Sequence, residues 1–166
     1  MSGSTHMLTR ELILEYLEEV FDPEVPVLTI QDLGIVRDVI IHSDQDVEIV
    51  ITPTYSGCPA MNTIATNIKF ELIGRGIHHV RVTEVLSPAW TTDWMTEQGK
   101  QKLKEYGIAP PQYTTKNNPD GEDAVVPCPR CNSTNTQLMS QFGSTSCKAL
   151  YKCIDCLEPF DYFKCH

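Results

Sequence analysis

The sequence contains no apolar run approaching the roughly 18 residues that cross a bilayer, and no basic start followed by an apolar core of the kind a secretory signal carries. It is also short of positive charge. Thirteen Lys and Arg stand against 22 Asp and Glu, a formal net charge of −9, and such a surface repels nucleic acid and anionic membrane alike. A disulfide framework is disfavoured too, because seven cysteines are an odd number and an untargeted chain faces a reducing cytosol. The expected location is therefore cytoplasmic, with no membrane and no nucleic-acid partner, and the thiols are expected to serve metal binding or chemistry. The first residues, through a second start at Met7, read as an expression-vector remnant and are set aside.

What is present divides unevenly. Residues 127–166 carry four basic and three acidic side chains, so the first 126 residues hold −10 of the charge. Residues 109–124 lack apolar periodicity and are rich in Pro, Asn, Asp, Gly and Thr, the composition of a linker. The spacing predicts an α+β domain over 8–107, a linker over 108–126 and a small all-β module over 127–166.

In the first part, Leu8, Leu12, Ile13, Tyr16, Leu17 and Val20 form a one-sided apolar stripe, the mark of an amphipathic helix. Pro23 and Pro26 stop it and impose an extended loop that carries the carboxylates Asp22 and Glu24. The plain reading of that loop is a solvated connection whose aspartate caps the next turn. Residues 35–41 read as a strand too apolar on both faces to lie at an edge, and Asp44-Gln45-Asp46 closes a hairpin into Val47, Ile49 and Ile51, which alternate as a half-buried strand does. A second helix follows on Met61, Ile64, Ala65, Ile68 and Leu72, and Val80, Val82 and Val85 mark a third strand. Helix, strand, strand, helix, strand suggests a small mixed sheet with helices on one face.

Between the second strand and second helix lies Thr52-Pro53-Thr54-Tyr55-Ser56-Gly57-Cys58-Pro59. Pro59 suits a first helical turn, so Cys58 sits at or beside the N-cap. Unpaired amides and the helix dipole there are expected to lower the thiol pKa below the roughly 8.5 of free cysteine, which raises its nucleophilicity and metal affinity. The opposing reading is a small buried residue at a tight corner. A thiol enzyme finds no histidine placed by the sequence to act as base. Further on, Trp90 and Trp94 either cover the open edge of the core or anchor a partner surface. Thr96 caps a short helix that ends at Gly107.

The last module holds Cys128-Pro129-Arg130-Cys131 and Cys153-Ile154-Asp155-Cys156, separated by 21 residues. Two such knuckles face to face complete a tetrahedron of thiolates, which reads as a zinc ribbon with a closed, structural site. About 40 residues cannot build an adequate apolar core, so the metal is expected to supply much of the folding free energy. Short strands are expected over 138–142, 150–152 and 160–163. Cys147 and Cys165, with His166 beside the latter, are left over as inert thiols, alternate ligands or half of a second site.

Asp22-Pro23-Glu24, Asp32-Leu33-Gly34-Ile35-Val36 and the stretch from Thr52 to Pro59 together resemble the signature of the metal-sulfur cluster assembly domain of MIP-type and SufT-type proteins. Pro88-Ala89-Trp90-Thr91-Thr92-Asp93-Trp94-Met95, Phe142-Gly143-Ser144-Thr145, Cys147-Lys148-Ala149-Leu150-Tyr151 and Phe160-Asp161-Tyr162-Phe163-Lys164-Cys165 extend the resemblance over nearly the whole chain, to the PaaD family of the bacterial phenylacetyl-CoA epoxidase system. The resemblance implies an accessory role in aerobic phenylacetate breakdown, beside a diiron oxygenase and an iron-sulfur flavin reductase, with the iron-sulfur assembly machinery as a further partner. It implies that Cys58 matches the family's motif cysteine, that Asp22 and Glu24 match its acidic loop, and that Cys147 and Cys165 also match cysteines. On this reading Cys58 binds iron or a cluster transiently, or engages a client, while the ribbon docks an epoxidase component. One thiolate cannot hold a cluster, so a homodimer partner, a client or the leftover cysteines must add ligands. The competing reading is a non-catalytic adaptor that binds through the tryptophan loop and the ribbon.

Overall fold

The computed structural model describes residues 7–55, 57–111, 125–145 and 147–163. Cys165, His166 and most of the expected linker lie outside the described residues. The chain divides into two compact units, Met1–Trp90 and Thr91–His166.

The first unit opens with α1 (Arg10–Leu17), whose N-cap Thr9 accepts from the Leu12 amide. It ends three residues before Val20, the last residue of the predicted stripe, although Val20 is still buried. Thr29 and Asp32 form a reciprocal capping box around the single turn α2 (Ile30–Leu33), and Gly34 closes it at φ 73°. The sheet follows: β1 (Val36–Ser43), β2 (Asp46–Ile51) and, after α3 (Ala60–Gly74), β3 (His79–Glu84). β1 runs antiparallel to β2, and β3 runs parallel to it. Every second residue of β2 is buried, Val47, Ile49 and Ile51, beneath Ile13 and Leu17 of α1 and Ile64, Ile68 and Leu72 of α3. The other face of the sheet stays polar, with Arg81 paired to Asp46 and Thr83 donating to Glu48. The helices therefore cover one face, as the element order implies.

The strand over 35–41 is not interior. In the order β1-β2-β3 it forms an edge, because only β2 has neighbours on both sides. Ile40, paired with Glu48 on the face the helices leave open, is exposed, and register irregularities at both ends of β1 blunt the edge against further pairing.

The second unit contains a 3-10 turn at Thr92–Trp94, the helix α4 (Glu97–Tyr106), and the strands β4 (Ile108–Ala109), β5 (Thr136–Ser140), β6 (Lys148–Cys153) and β7 (Pro159–Phe163). Thr96 and Gly107 cap α4 as the sequence indicates. The strands form one sheet in the order β4-β7-β6-β5, antiparallel except where β4 lies parallel to β7. That pairing, Ile108 with Asp161 and Ala109 with Tyr162, groups α4 and β4 with the cysteine-rich segment, so the division falls earlier in the chain than a composition-based boundary at 107. The core here is small: Ala109, Val126, Cys128, Ala149, Tyr151, Cys153, Phe160 and Tyr162, with Tyr151 stacked on Phe160 and edge-on to Tyr162.

Candidate metal and cluster sites

Four thiols of the second unit converge. The sulfurs of Cys128, Cys131, Cys153 and Cys156 all lie within 4.8 Å of one another, with Cys128 to Cys156 at 3.8 Å and Cys131 to Cys153 at 3.6 Å. A zinc-sulfur bond of about 2.3 Å sets a tetrahedron edge of roughly 3.8 Å, so the donor set fits that ion. The local sequence builds each knuckle in the same way. The Cys128 amide donates to the Ser133 carbonyl and the Cys153 amide to the Glu158 carbonyl, while Asn132 and Leu157 turn through positive φ one residue past the second cysteine. Asp155 ties the two knuckles by accepting from the Ser133 hydroxyl and the Asn135 side-chain amide, bonds that hold its carboxyl below the usual range.

The thiols are electrostatically crowded. Although the Ser133 amide favours the Cys131 thiolate, burial and the three other sulfurs push this thiol up to about 12. The Cys153 thiol falls to about 7, chiefly through the Cys156 amide. Without a cation, four thiolates at this spacing repel, so a bound metal must displace protons.

Cys147 is buried elsewhere, its sulfur 3.0 Å from the Thr145 hydroxyl, and is not one of the clustered four. Cys165 and His166 lie outside the described residues.

In the first unit Cys58 is half-buried at the mouth of α3. Gly57 turns through φ 77°, which favours glycine, and the Cys58 carbonyl accepts the Met61 amide as the helix begins. The N-cap position itself is Pro59, one residue later. The thiol's pKa is raised, against the sequence expectation. Burial is the largest cause, and the negative charges of Glu24 and then Asp22 add to it. The Ala60 amide and the Tyr55 side chain pull the other way without prevailing. The helix N-terminus is present, but desolvation and two nearby acids outweigh it. The fold thus brings Asp22, Glu24 and Cys58 into one electrostatic neighbourhood from segments more than 30 residues apart in sequence.

Asp22 also has a structural task. Its Oδ1 accepts from the Glu24 amide at 2.7 Å and the Val25 amide at 2.8 Å, while its own amide donates to the Leu28 carbonyl. The capping reading of that aspartate therefore holds geometrically. Tyr55, whose side chain bonds the thiol, is a member of the site that the sequence does not single out, although it stands three residues before Cys58. At the start of the same stretch, Thr52 carries a hydroxyl that is buried without a hydrogen-bond partner among the described residues.

Of the two roles open to Trp90, the fold gives it that of cover. It is 4% exposed, and its indole Nε1 donates to the Leu33 carbonyl at 2.8 Å, so the ring is not available as a partner surface. An indole with an apolar ring and a single donor is satisfied best where the core ends at an open carbonyl. Trp94 is half-buried in the 3-10 turn.

Residues 10–86 match the family described as "Iron-sulfur cluster assembly protein", and residues 112–164 match the "PaaD zinc beta ribbon domain". The chain is 51% identical over 150 residues to a protein of Escherichia coli strain K12 described as a component of a "Putative 1,2-phenylacetyl-CoA epoxidase", covering 90% of this chain and 88% of that protein. It is 31% identical over 96 residues to the "Fe-S protein maturation auxiliary factor" of Porphyromonas gingivalis, covering 57% of this chain and 90% of that protein. Among solved structures, a domain of unknown function, DUF59, from Bacillus anthracis aligns with a TM-score of 0.53 at 29% identity, covering 56% of this chain and 89% of that one.

Proposed function

The chain belongs to the PaaD family, and from that membership we propose that it is an accessory protein of a phenylacetyl-CoA epoxidase system that helps supply iron or an iron-sulfur cluster to an epoxidase component. The observation that carries this reading is the grouping of Cys58 with Asp22 and Glu24 at the start of α3, inside the segment that matches the assembly family. One soft thiol donor and two carboxylates create a local negative potential. That potential disfavours the bare thiolate and favours an arriving cation, so iron and the lost proton exchange at the same sulfur. Iron or a cluster is cargo here. Cys58 supplies one ligand, and the client or a second protomer supplies the others.

The second unit has a separate task. Cys128, Cys131, Cys153 and Cys156 hold zinc, which fastens the two knuckles and leaves no position open for chemistry. The ribbon also exposes Met139, Phe142, Ile154 and Leu157, more apolar surface than so small a sheet needs to leave in water. This favours docking to an epoxidase component, and it equally supports a pure adaptor.

Anaerobic purification followed by metal and acid-labile sulfide analysis tests the reading. Iron with sulfide, lost in Cys58→Ser together with maturation of the reductase cluster, is the expected result. One zinc with no iron, and a Cys58→Ser protein that matures the reductase as well as the parent does, would select the adaptor.

A further inference from the structure

Beside the acidic loop the first unit carries an open groove of about 460 Å³. Phe21 and Pro23, with Pro26, wall it on the loop side, and Phe70 with Glu71 walls it on α3. The residues of α3 that enter the core are Met61, Ile64, Ile68 and Leu72. Position 70 lies roughly 200° around the helix from 68, so Phe70 points away from the core and is 72% exposed; Phe21, across the groove, is 42% exposed. The loop wall is preformed. Phe21 bridges to Thr29, the Asp22 carboxylate gathers two amides, and the prolines fix their own φ. Two aromatic rings held apart in water on a rigid frame mark a binding surface rather than a packing defect.

Charge indicates what fits. The groove is edged by Glu19, Asp22 and Glu71, and neither Lys nor Arg lines it. Arg75 engages Glu71 at 2.9 Å, yet the unit Met1–Trp90 as a whole has thirteen acidic side chains against five basic ones. A second copy of this chain would bring the same acidic face against itself, and nucleic acid would be repelled by the same sign. A basic polypeptide meets no such penalty. Asp22 both lines the groove and contributes to the field at Cys58, so a segment seated there lies beside the thiol's surroundings.

We propose that this groove docks a client protein through a segment bearing one aromatic or large aliphatic side chain, seated between Phe21 and Phe70, with Lys or Arg flanking it to meet Glu19 and Glu71. This rests on the reading of Cys58 as a delivery site and assigns the recognition step to different residues.

The test uses short fluorescein-labelled peptides with a single Phe flanked by lysines in a Gly-Ser background, titrated against the full chain by polarisation. Saturable binding in the range of about 10–500 µM is expected. It should weaken more than tenfold in Phe70→Ala, weaken severalfold in Glu19→Lys, and fall with added salt. Phe70→Ala keeps the fold, since the side chain is exposed and alanine favours a helix. Equal binding by a peptide without Phe or with glutamates for lysines, indifference to Phe70→Ala, or no saturation by about 1 mM would overturn the proposal. So would a dimer in sedimentation that Phe70→Ala dissociates. Cys58→Ser should bind the peptide as the parent does, and Phe70→Ala should retain whatever iron and sulfide the parent holds. Loss of the delivery role and loss of the docking role therefore read out separately.

Discussion

In the first unit a central strand buries Val47, Ile49 and Ile51 completely beneath two helices, and the fifteen-residue α3 adds Ile64, Ile68 and Leu72 to the same core. In the second, two of the eight residues at the heart of the core are cysteines whose sulfurs belong to the metal cluster. The first unit is held by apolar area removed from water, whereas the second closes its core around ligands that repel one another until a cation arrives. The difference extends to the thiols. Cys58 feels the charges of two carboxylates and is the single thiol of its unit. The four ribbon sulfurs all lie within 4.8 Å of one another, a full donor set for one tetrahedral ion.

Stripping the metal is the harshest way to break this contrast. A strong chelator, or Cys153→Ala, should unfold the ribbon, since structural zinc contributes on the order of 10 kcal/mol in small domains. Two-dimensional NMR should then show collapsed dispersion for β5 to β7 while the resonances of β1 to β3 stay in place. Ribbon signals that survive intact would mean that the apolar core of the second unit suffices alone.

Ile49→Ala attacks the other side. The residue is fully buried in the middle strand, and the truncation should cost about 2–5 kcal/mol of first-unit stability. Thermal melts followed by calorimetry should lower the transition of that unit only, with zinc content unchanged. A drop shared by both transitions would show that the two cores are energetically coupled.

The finest distinction concerns the two kinds of thiol. Glu24→Gln removes one of the charges that raise the Cys58 pKa, so the pH midpoint of its alkylation should move down, toward that of ordinary cysteine, without loss of fold. A midpoint unmoved by the change would take Glu24 out of the site's electrostatics and leave burial, with the Asp22 charge, to raise the pKa.

Much of this architecture is legible along the chain. The alternation in β2, the three- and four-residue steps of α3, and the caps Thr96 and Gly107 of α4 each encode an element locally. The paired Cys-x-x-Cys knuckles encode a metal cluster, because two short turns need only meet to complete the tetrahedron. What failed to read out was whatever depends on neighbours distant in sequence. The apolar character of 35–41 suggests an interior strand, but edge position is decided by how many strands the sheet has. Trp90 reads as cover or as anchor until the Leu33 carbonyl, 57 residues away, is found at its Nε1.

Cys58 shows the division most clearly. Sequence alone determined that a thiol stands at the turn between a strand and an amphipathic helix, since Pro59 and the periodicity beyond it act within a few residues. From that local view the helix terminus should lower its pKa. Only the tertiary structure brought Glu24 and Asp22 to it and half-buried the sulfur, reversing the sign of the shift. The physical reason is that a helix end acts on its nearest residue through the chain's own geometry, whereas desolvation and through-space charge depend on which remote segments the fold packs alongside.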